Sequence, residues 1–199
     1  MKILAMILMV ISLSACSARE VTDKVVLWQT KTWTSPQGLV SIDYPADWEA
    51  INNYMNDTVD VIFLSPLESD RDPYRDNINI NIDWNVSDNI SFVEEYADAS
   101  MELNHKVYKD AGTITYSHGS PWEEIELTTL GGEKAVKVNY SYFREIDQRH
   151  FKGVIYYTLK ADKNGKKYAF VITYASTKKD FDKYLDIATK TIKTFRFNY

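Results

Sequence analysis

Hydrophobic and polar residues alternate most regularly between positions 77 and 84. The period of two places Ile78, Ile80, Ile82 and Trp84 on one face and Asn77, Asn79, Asn81 and Asp83 on the other. This pattern predicts a strand with one buried face and one solvated face.

Further apolar or alternating runs, ended by proline, glycine or polar turns, predict strands along much of the remaining chain. They are residues 39–44, 58–65, 113–117, 122–128, 134–142, 151–160 and 168–175. A turn is predicted at Leu130, Gly131 and Gly132. Asn164 and Gly165 separate the last two runs and predict a tight hairpin, because an Asn-Gly pair supplies the positive φ angles that such a turn needs.

Two segments have the helical period instead. Ser91 and Glu94 have the spacing of a capping box, and Thr177 with Asp180 marks a second helix start. The apolar face predicted for the first helix consists of Phe92, Tyr96, Ala99, Leu103 and Val107. That of the second consists of Phe181, Tyr184, Leu185, Ala188, Ile192 and Phe195. Two helices and about seven strands predict an antiparallel α+β domain, because a parallel nucleotide-binding sheet would need alternating helices.

The N-terminus has the layout of a processed export signal. Lys2 is followed by an apolar run of about ten residues, half of the roughly 20 that a membrane-spanning helix needs. Leu13, Ser14, Ala15 and Cys16 then resemble the lipobox of bacterial lipoproteins. The resemblance implies cleavage between Ala15 and Cys16 and a diacylglycerol on the Cys16 sulfur. The predicted divisions are a signal peptide at 1–15, a lipidated cysteine and tether at 16–30, and one domain at 31–199.

Charge and cysteine content exclude several functions. Cys16 is the only cysteine, so no disulfide can form within the chain and no cysteine-rich metal site exists. The net charge is −5, and removing Lys2 with the signal makes it about −6, which disfavours nucleic acid as a partner and gives no electrostatic attraction to anionic lipid headgroups. With 45% hydrophobic and 14% aromatic residues, the chain can still build a substantial core.

A second resemblance lies at the start of the domain. Residues 32–48, with Gly38, an apolar strand, Tyr44-Pro45 and Trp48, resemble the opening of PsbP/DcrB-like proteins. The order of the predicted elements from about 31 to 197 also fits that family, whose fold is an antiparallel sheet sandwiched by helices. Its members include a photosystem subunit, a Ran-binding protein, lipoproteins and secretion chaperones. The resemblance implies a binding or accessory module and no active-site residues. Tyr44 and Trp48 are interpreted as core and turn residues.

The sequence contains no recognisable catalytic or cofactor motif. Its histidines are His105, His118 and His150. Residues 117–120 contain two serines beside His118, but they lack the strand-to-helix setting of a nucleophile elbow. We therefore expect no enzyme activity, no catalytic or metal site and no cofactor.

The stretch from Glu68 to Asp76 is the strongest candidate surface in the sequence. Arg71, Tyr74 and Arg75 are of the residue types enriched at interface hot spots, so they are predicted to be possible partner contacts. Its four carboxylates could attract a cation, but the two arginines would repel it. The favoured interpretation of the stretch is a solvated connection without a function, and partner contact is the alternative.

The sequence thus predicts a non-catalytic accessory or protein-binding module, held to a bacterial membrane by its N-terminal lipid. Ser17 after Cys16 resembles outer-membrane sorting, which favours the periplasmic face of the outer membrane. One alternative is a small-ligand carrier with a pocket between sheet and helix, near Trp84, Tyr96 and Trp122. An enzyme is the third possibility. An exposed apolar patch would favour a protein partner.

Overall fold

The computed structural model describes residues 29–57, 59–69, 74–108, 112–116 and 125–199. The predicted signal peptide, Cys16 and nearly all of the predicted tether lie outside these ranges. No helix within them is long and apolar enough to cross a membrane.

Eleven strands and three helices lie within the described ranges. The strands are β1 (Thr30–Thr34), β2 (Val40–Pro45), β3 (Glu49–Asn53), β4 (Val59–Leu64), β5 (Asn77–Asp83), β6 (Gly112–Tyr116), β7 (Glu126–Leu130), β8 (Glu133–Arg144), β9 (Arg149–Ala161), β10 (Lys167–Thr177) and β11 (Arg196–Phe197). The helices are α1 (Tyr54–Asp57), α2 (Val93–Tyr108) and α3 (Phe181–Lys193).

Two antiparallel sheets form the framework. The large sheet has eight strands in the order β3-β4-β5-β10-β9-β8-β6, with β7 also paired to β8. The small sheet has the order β1-β2-β11, so it joins the first and last strands of the described chain. This arrangement confirms the predicted antiparallel α+β class, with more strands than the roughly seven expected.

The two long helices cover opposite faces of the large sheet. Side chains alternate along β9, so Ile155 and Tyr157 lie in a core cluster with α2. Tyr156, between them, packs against the other cluster, which contains α3 residues and the small sheet.

The predicted core role of Tyr44 and Trp48 is confirmed. Trp48 is 3% exposed, and its ring meets that of Tyr184 on α3 edge-on at 5.8 Å. The ring of Tyr44 lies 4.5 Å from that of Phe63 on β4, tilted by 30°. These contacts join the small sheet, the large sheet and α3 into one core.

The strand predicted from residue 77 onward is β5, and its isoleucines are buried as expected. Its other face is less solvated than predicted. Asn77 is buried, and its amide donates a hydrogen bond to the Tyr74 hydroxyl at 2.9 Å. Asp83 accepts a hydrogen bond from the Tyr96 hydroxyl at 3.1 Å. Tyrosines from a loop and from α2 therefore partly cover the asparagine face.

The predicted buried face of α2 is wrong. Val93, Ala97 and Met101 face the sheet, whereas the predicted residues Phe92, Ala99, Leu103 and Val107 are exposed and Tyr96 is half-buried. The capping interaction differs as well, since Glu95 and not Glu94 accepts from the Ser91 and Phe92 amides.

The other local predictions fit more closely. Ala188, Ile192 and Phe195 of the predicted α3 face are buried. The predicted N-cap at Thr177 is wrong, because Asp180 is the N-cap of α3 and the helix begins at Phe181, although Thr177 and Asp180 do bond each other. The β9–β10 hairpin forms, but Gly165 alone of the Asn-Gly pair has a positive φ, and the Asp162 carboxylate caps the turn.

Candidate functional site

The predicted contact residue Tyr74 does not project into solvent as we expected. Its ring is half-buried and lies 4.9 Å from the ring of Phe151 on β9. Burial raises the pKa of Tyr74 to about 12. Tyr74 therefore packs against the large sheet, and a partner could reach only part of it.

Arg75 holds the loop to the ends of two strands. Its Nε donates to the Ser65 carbonyl at 2.5 Å and its Nη2 to the Leu64 carbonyl at 3.2 Å, while Nη1 pairs with Glu49 at 2.5 Å. Such bonds position a loop, and a partner contact by Arg75 stays a prediction. Arg71 lies outside the described residues.

The structure brings no metal-binding cluster together in the part of the chain that it describes. No group of three or more His, Cys, Asp or Glu residues there could hold a metal ion. His105 lies edge-on to Tyr116, and His150 lies against Phe143. Residues 117–120, with His118, lie outside the described ranges, so the absence of a nucleophile there stays a prediction.

A cavity of about 210 Å³ lies between α3 and the large sheet. Its lining combines apolar residues such as Val154 and Leu185 with polar groups such as Lys137, Asn139 and Asp186. The Glu126 carboxylate, 2.6 Å from the Lys137 amine, raises the pKa of this lysine. Drug-sized ligands typically occupy 300 Å³ or more. This cavity lacks Trp84 and Tyr96, the residues predicted for a carrier, and Trp122 is outside the described ranges.

A second, more open cavity of about 340 Å³ is lined by Trp84, residues 85–88, Lys166 and Lys167. It lies between the loop after β5 and the β9–β10 hairpin, without Tyr96 or any residue of α2, and so is not the predicted pocket between sheet and helix.

The most conspicuous surface feature is an apolar row along the outer side of α2, which we call the α2 stripe. It consists of Phe92, Ala99, Leu103 and Val107. The three large side chains are 63%, 59% and 62% exposed. The sequence showed these residues but placed them in the core. A second periodic row, Val93, Ala97 and Met101, was the signal that the helix has two apolar faces.

Charged groups border the α2 stripe along one side. Glu102 and Lys106 form an exposed ion pair at 2.6 Å, and Glu95 caps the helix start. Toward the sheet, the bond from Lys134 holds the pKa of Glu94 below its ordinary value. Burial and the nearby Glu94 raise the pKa of Asp98. The stripe is thus an apolar row with a polar border, the usual composition of a binding surface.

Comparisons with solved structures place the fold among known proteins. The PsbP protein (CyanoP) of Synechocystis sp. PCC 6803 matches with a TM-score of 0.59 at 14% identity, over 87% of this chain and 95% of that one. LpqN, described as involved in cell envelope biogenesis of Mycobacterium tuberculosis, matches with a TM-score of 0.59 at 11% identity, over 85% and 90%. The Saccharomyces cerevisiae Ran-binding protein Mog1p matches with a TM-score of 0.51 at 9% identity, over 85% and 95%.

These matches show a PsbP-like fold. No family model matches the chain, and no curated protein matches it at a significant level. At identities of 14% and below, the likeness concerns the fold alone.

Proposed function

We propose that this protein is a non-catalytic protein-binding module of the bacterial envelope, tethered outside the cytoplasm by a lipid on Cys16. The single observation that carries the binding role is the exposed α2 stripe. Scattered exposed apolar residues are ordinary, but a continuous row with a charged border is typical of an interaction surface.

The location rests on different support. The lipobox-like residues 13–16 imply an acyl anchor, and two or more acyl chains give stable membrane attachment. LpqN, which shares the fold, is described as involved in cell envelope biogenesis. The outer membrane is favoured by Ser17 following Cys16.

The anchor is tested by Cys16→Ser in the native host. The variant should leave the membrane fraction while the domain keeps its melting temperature, because the anchor lies outside the domain core. A variant that stays with membranes after salt and carbonate washing would contradict lipid anchoring.

The binding role is tested by changing the α2 stripe. Leu103→Glu should remove the crosslinked products of the protein in host cells, because it places a charge in the contact. Leu67→Glu is a matched control, since Leu67 is 57% exposed and belongs to the loop whose Glu68 pairs with Lys183 of α3. Crosslinking that is unchanged by Leu103→Glu, or equally reduced by both variants, would contradict a role for the stripe.

A further inference from the structure

We propose that the α2 stripe binds the α2 stripe of a second copy of this chain, with the two helices antiparallel. This inference rests on the proposed binding role and names the partner at the same surface. Three features of α2 carry it, and they are the spacing of its apolar residues, the place of its small residues and the distribution of its charges.

The spacing indicates that the occupant is a helix. Together with the half-buried Tyr96, the stripe residues follow one another at intervals of four, three, four and four positions. Intervals of four and three form the seam along which one helix packs on another. The large sheet contacts this seam only through Tyr96, whose ring meets that of Tyr157 and whose hydroxyl donates to Asp83. Its other contacts with α2 are made by Val93, Ala97 and Met101 on the other side of the helix.

The position of the small residues allows a symmetric crossing. The midpoint between Phe92 and Val107 falls between Ala99 and Ser100. In an antiparallel pair, Phe92 of each copy then lies opposite Val107 of the other, and the small residues meet at the twofold axis. Large side chains at the ends and small ones at the centre let the two helices approach closely.

The charges favour the antiparallel direction. The first turn of α2 carries Glu94 and Glu95, and the last turn carries His105 and Lys106. Antiparallel pairing places Glu95 of one copy, which caps its own helix, near Lys106 of the other, which pairs with Glu102. Parallel pairing would instead align like charges. The two helix dipoles also oppose each other in this arrangement.

A lipid surface fits the stripe less well. The net charge of −5 and the bordering Glu95 and Glu102 repel anionic headgroups. The other long helix of the described ranges, α3, buries its apolar face in the core. It therefore does not offer an exposed apolar row to which the α2 stripe of another copy could bind. A second copy of α2 supplies the complementary apolar row and the complementary charges together.

The contact is small. A helix of 16 residues is about 24 Å long, so a pair of such helices falls short of a standard interface of about 800 Å² per partner. The dimer is therefore expected to be weak and concentration-dependent, and confinement of both copies to one membrane would raise their effective concentration.

The test places a cysteine at the predicted twofold axis in the full chain in host cells. Under mild oxidation, the Ala99→Cys variant should form a disulfide-linked dimer, because the Cβ atoms at position 99 of the two copies would lie close enough for a disulfide. Lys190→Cys, at an exposed position on α3, is the matched control. The unsubstituted chain, whose only cysteine is Cys16, reports the background.

Leu103→Glu, added to Ala99→Cys, should lower the dimer yield at least about tenfold, a factor that corresponds to a modest loss of contact energy. Leu67→Glu should not lower it. Because positions 99 and 103 are exposed, these variants should keep the parent melting temperature, which separates loss of contact from loss of folding.

The outcomes separate this inference from the proposed function. A disulfide-linked dimer of the Ala99→Cys variant that Leu103→Glu abolishes supports both. If the stripe crosslinks to a different protein, and Ala99→Cys gives no more disulfide-linked dimer than Lys190→Cys, the self-pairing is overturned. The proposed binding role would then stand. The thiol introduced by Ala99→Cys can also be tested with a water-soluble maleimide. If membranes alone protect this thiol from the reagent, the stripe binds a lipid surface, and both the self-pairing and the protein-binding role are overturned.

Discussion

The ring of Tyr140 lies against the backbone of Gly153, its direct cross-strand partner in the β8–β9 pair. A Cβ at position 153 would lie 2.2 Å from the Tyr140 ring and 2.4 Å from the Tyr174 carbonyl oxygen on the opposite neighbour β10. The glycine therefore allows a tyrosine ring and a third strand to approach the same point of the sheet.

Gly153→Ala should lower the free energy of unfolding by about 3 kcal/mol, because both neighbours would have to shift. For a domain of this size, that corresponds to a fall in melting temperature of roughly 6 to 12 °C. Lys163→Ala, in the exposed β9–β10 turn, should stay within about 0.5 kcal/mol of the parent. Calorimetry on both variants measures the difference, and an unchanged melting temperature for Gly153→Ala would mean that the sheet relaxes freely here.

Trp48→Ala should be a stability variant. Removing a buried large aromatic side chain typically costs about 3 to 5 kcal/mol, and the ring contact with Tyr184 of α3 would be lost with it. Phe92→Ala is the control, since that side chain is exposed and its loss should cost less than about 0.5 kcal/mol. Urea unfolding measures the free energy of unfolding of both variants. Retained stability with lost partner binding would instead assign Trp48 to an interface.

Tyr74 should contribute to stability through its ring and its hydroxyl separately. Tyr74→Phe removes the hydrogen bond from Asn77 and should cost about 1 kcal/mol. Tyr74→Ala also removes the packing on Phe151 and should cost about 3 kcal/mol in total. Chemical denaturation of both variants gives their free energies of unfolding and so separates the contribution of the hydroxyl from that of the ring. If neither change affects unfolding but both reduce crosslinking, the ring serves a partner and not the sheet.

Asp43 should make the protein sensitive to acid. The Thr32 hydroxyl donates to its carboxylate at 2.7 Å, and Arg196 bonds both oxygens at 3.1 and 3.2 Å. These bonds, that of Thr32 first, hold the pKa of Asp43 below its ordinary value in the folded state. The stabilisation is therefore complete above the unfolded-state pKa of about 3.9 and is lost as the pH falls through the lower folded-state value. Asp43→Asn should be less stable than the parent at pH 7, and the difference should vanish in strong acid.

Asp60 provides a comparison of opposite sign. Burial raises its pKa, although the Ile82 amide donates to it at 2.7 Å. Relative to Asp60→Asn, the parent should thus gain stability as the pH falls through the raised pKa. Urea unfolding measured from pH 7 down to about pH 2 gives the free energy of unfolding of the parent minus that of each variant. As the pH falls, this difference should decrease for Asp43→Asn and increase for Asp60→Asn. Differences that change in the same direction for both variants would contradict the assigned environments.

The local pattern correctly predicted the orientation of those elements that have a single apolar face. The isoleucines of β5 alternate with polar residues, and the apolar residues of α3 lie in one row with lysines and aspartates opposite. In each case only one orientation buries the apolar side, and the structure has that orientation.

The orientation of α2 could not be predicted in the same way. Phe92, Leu103 and Val107 are more hydrophobic than Ala97, yet the helix turns Ala97 and Met101 inward, where both are fully buried. The choice depends on the shape of the sheet surface that β6, β8 and β9 form together, and a helical period carries no information about that shape. The burial of Tyr74 was missed for a similar reason, since its contact Phe151 is distant in the sequence.

The small sheet can form fully only after most of the chain has been synthesised, because it pairs strands that are distant in the sequence. β2 pairs with its sequence neighbour β1 on one side, but on the other side it pairs with β11, the last of the described strands. The Thr194 hydroxyl accepts from the Asp43 amide, and the Ser41 hydroxyl bonds Asn198, across separations of 151 and 157 residues. Contacts this distant in sequence are slow to form. During synthesis, β2 therefore waits for residues 194–198, and a chain that stops before Arg196 leaves β2 open along one edge.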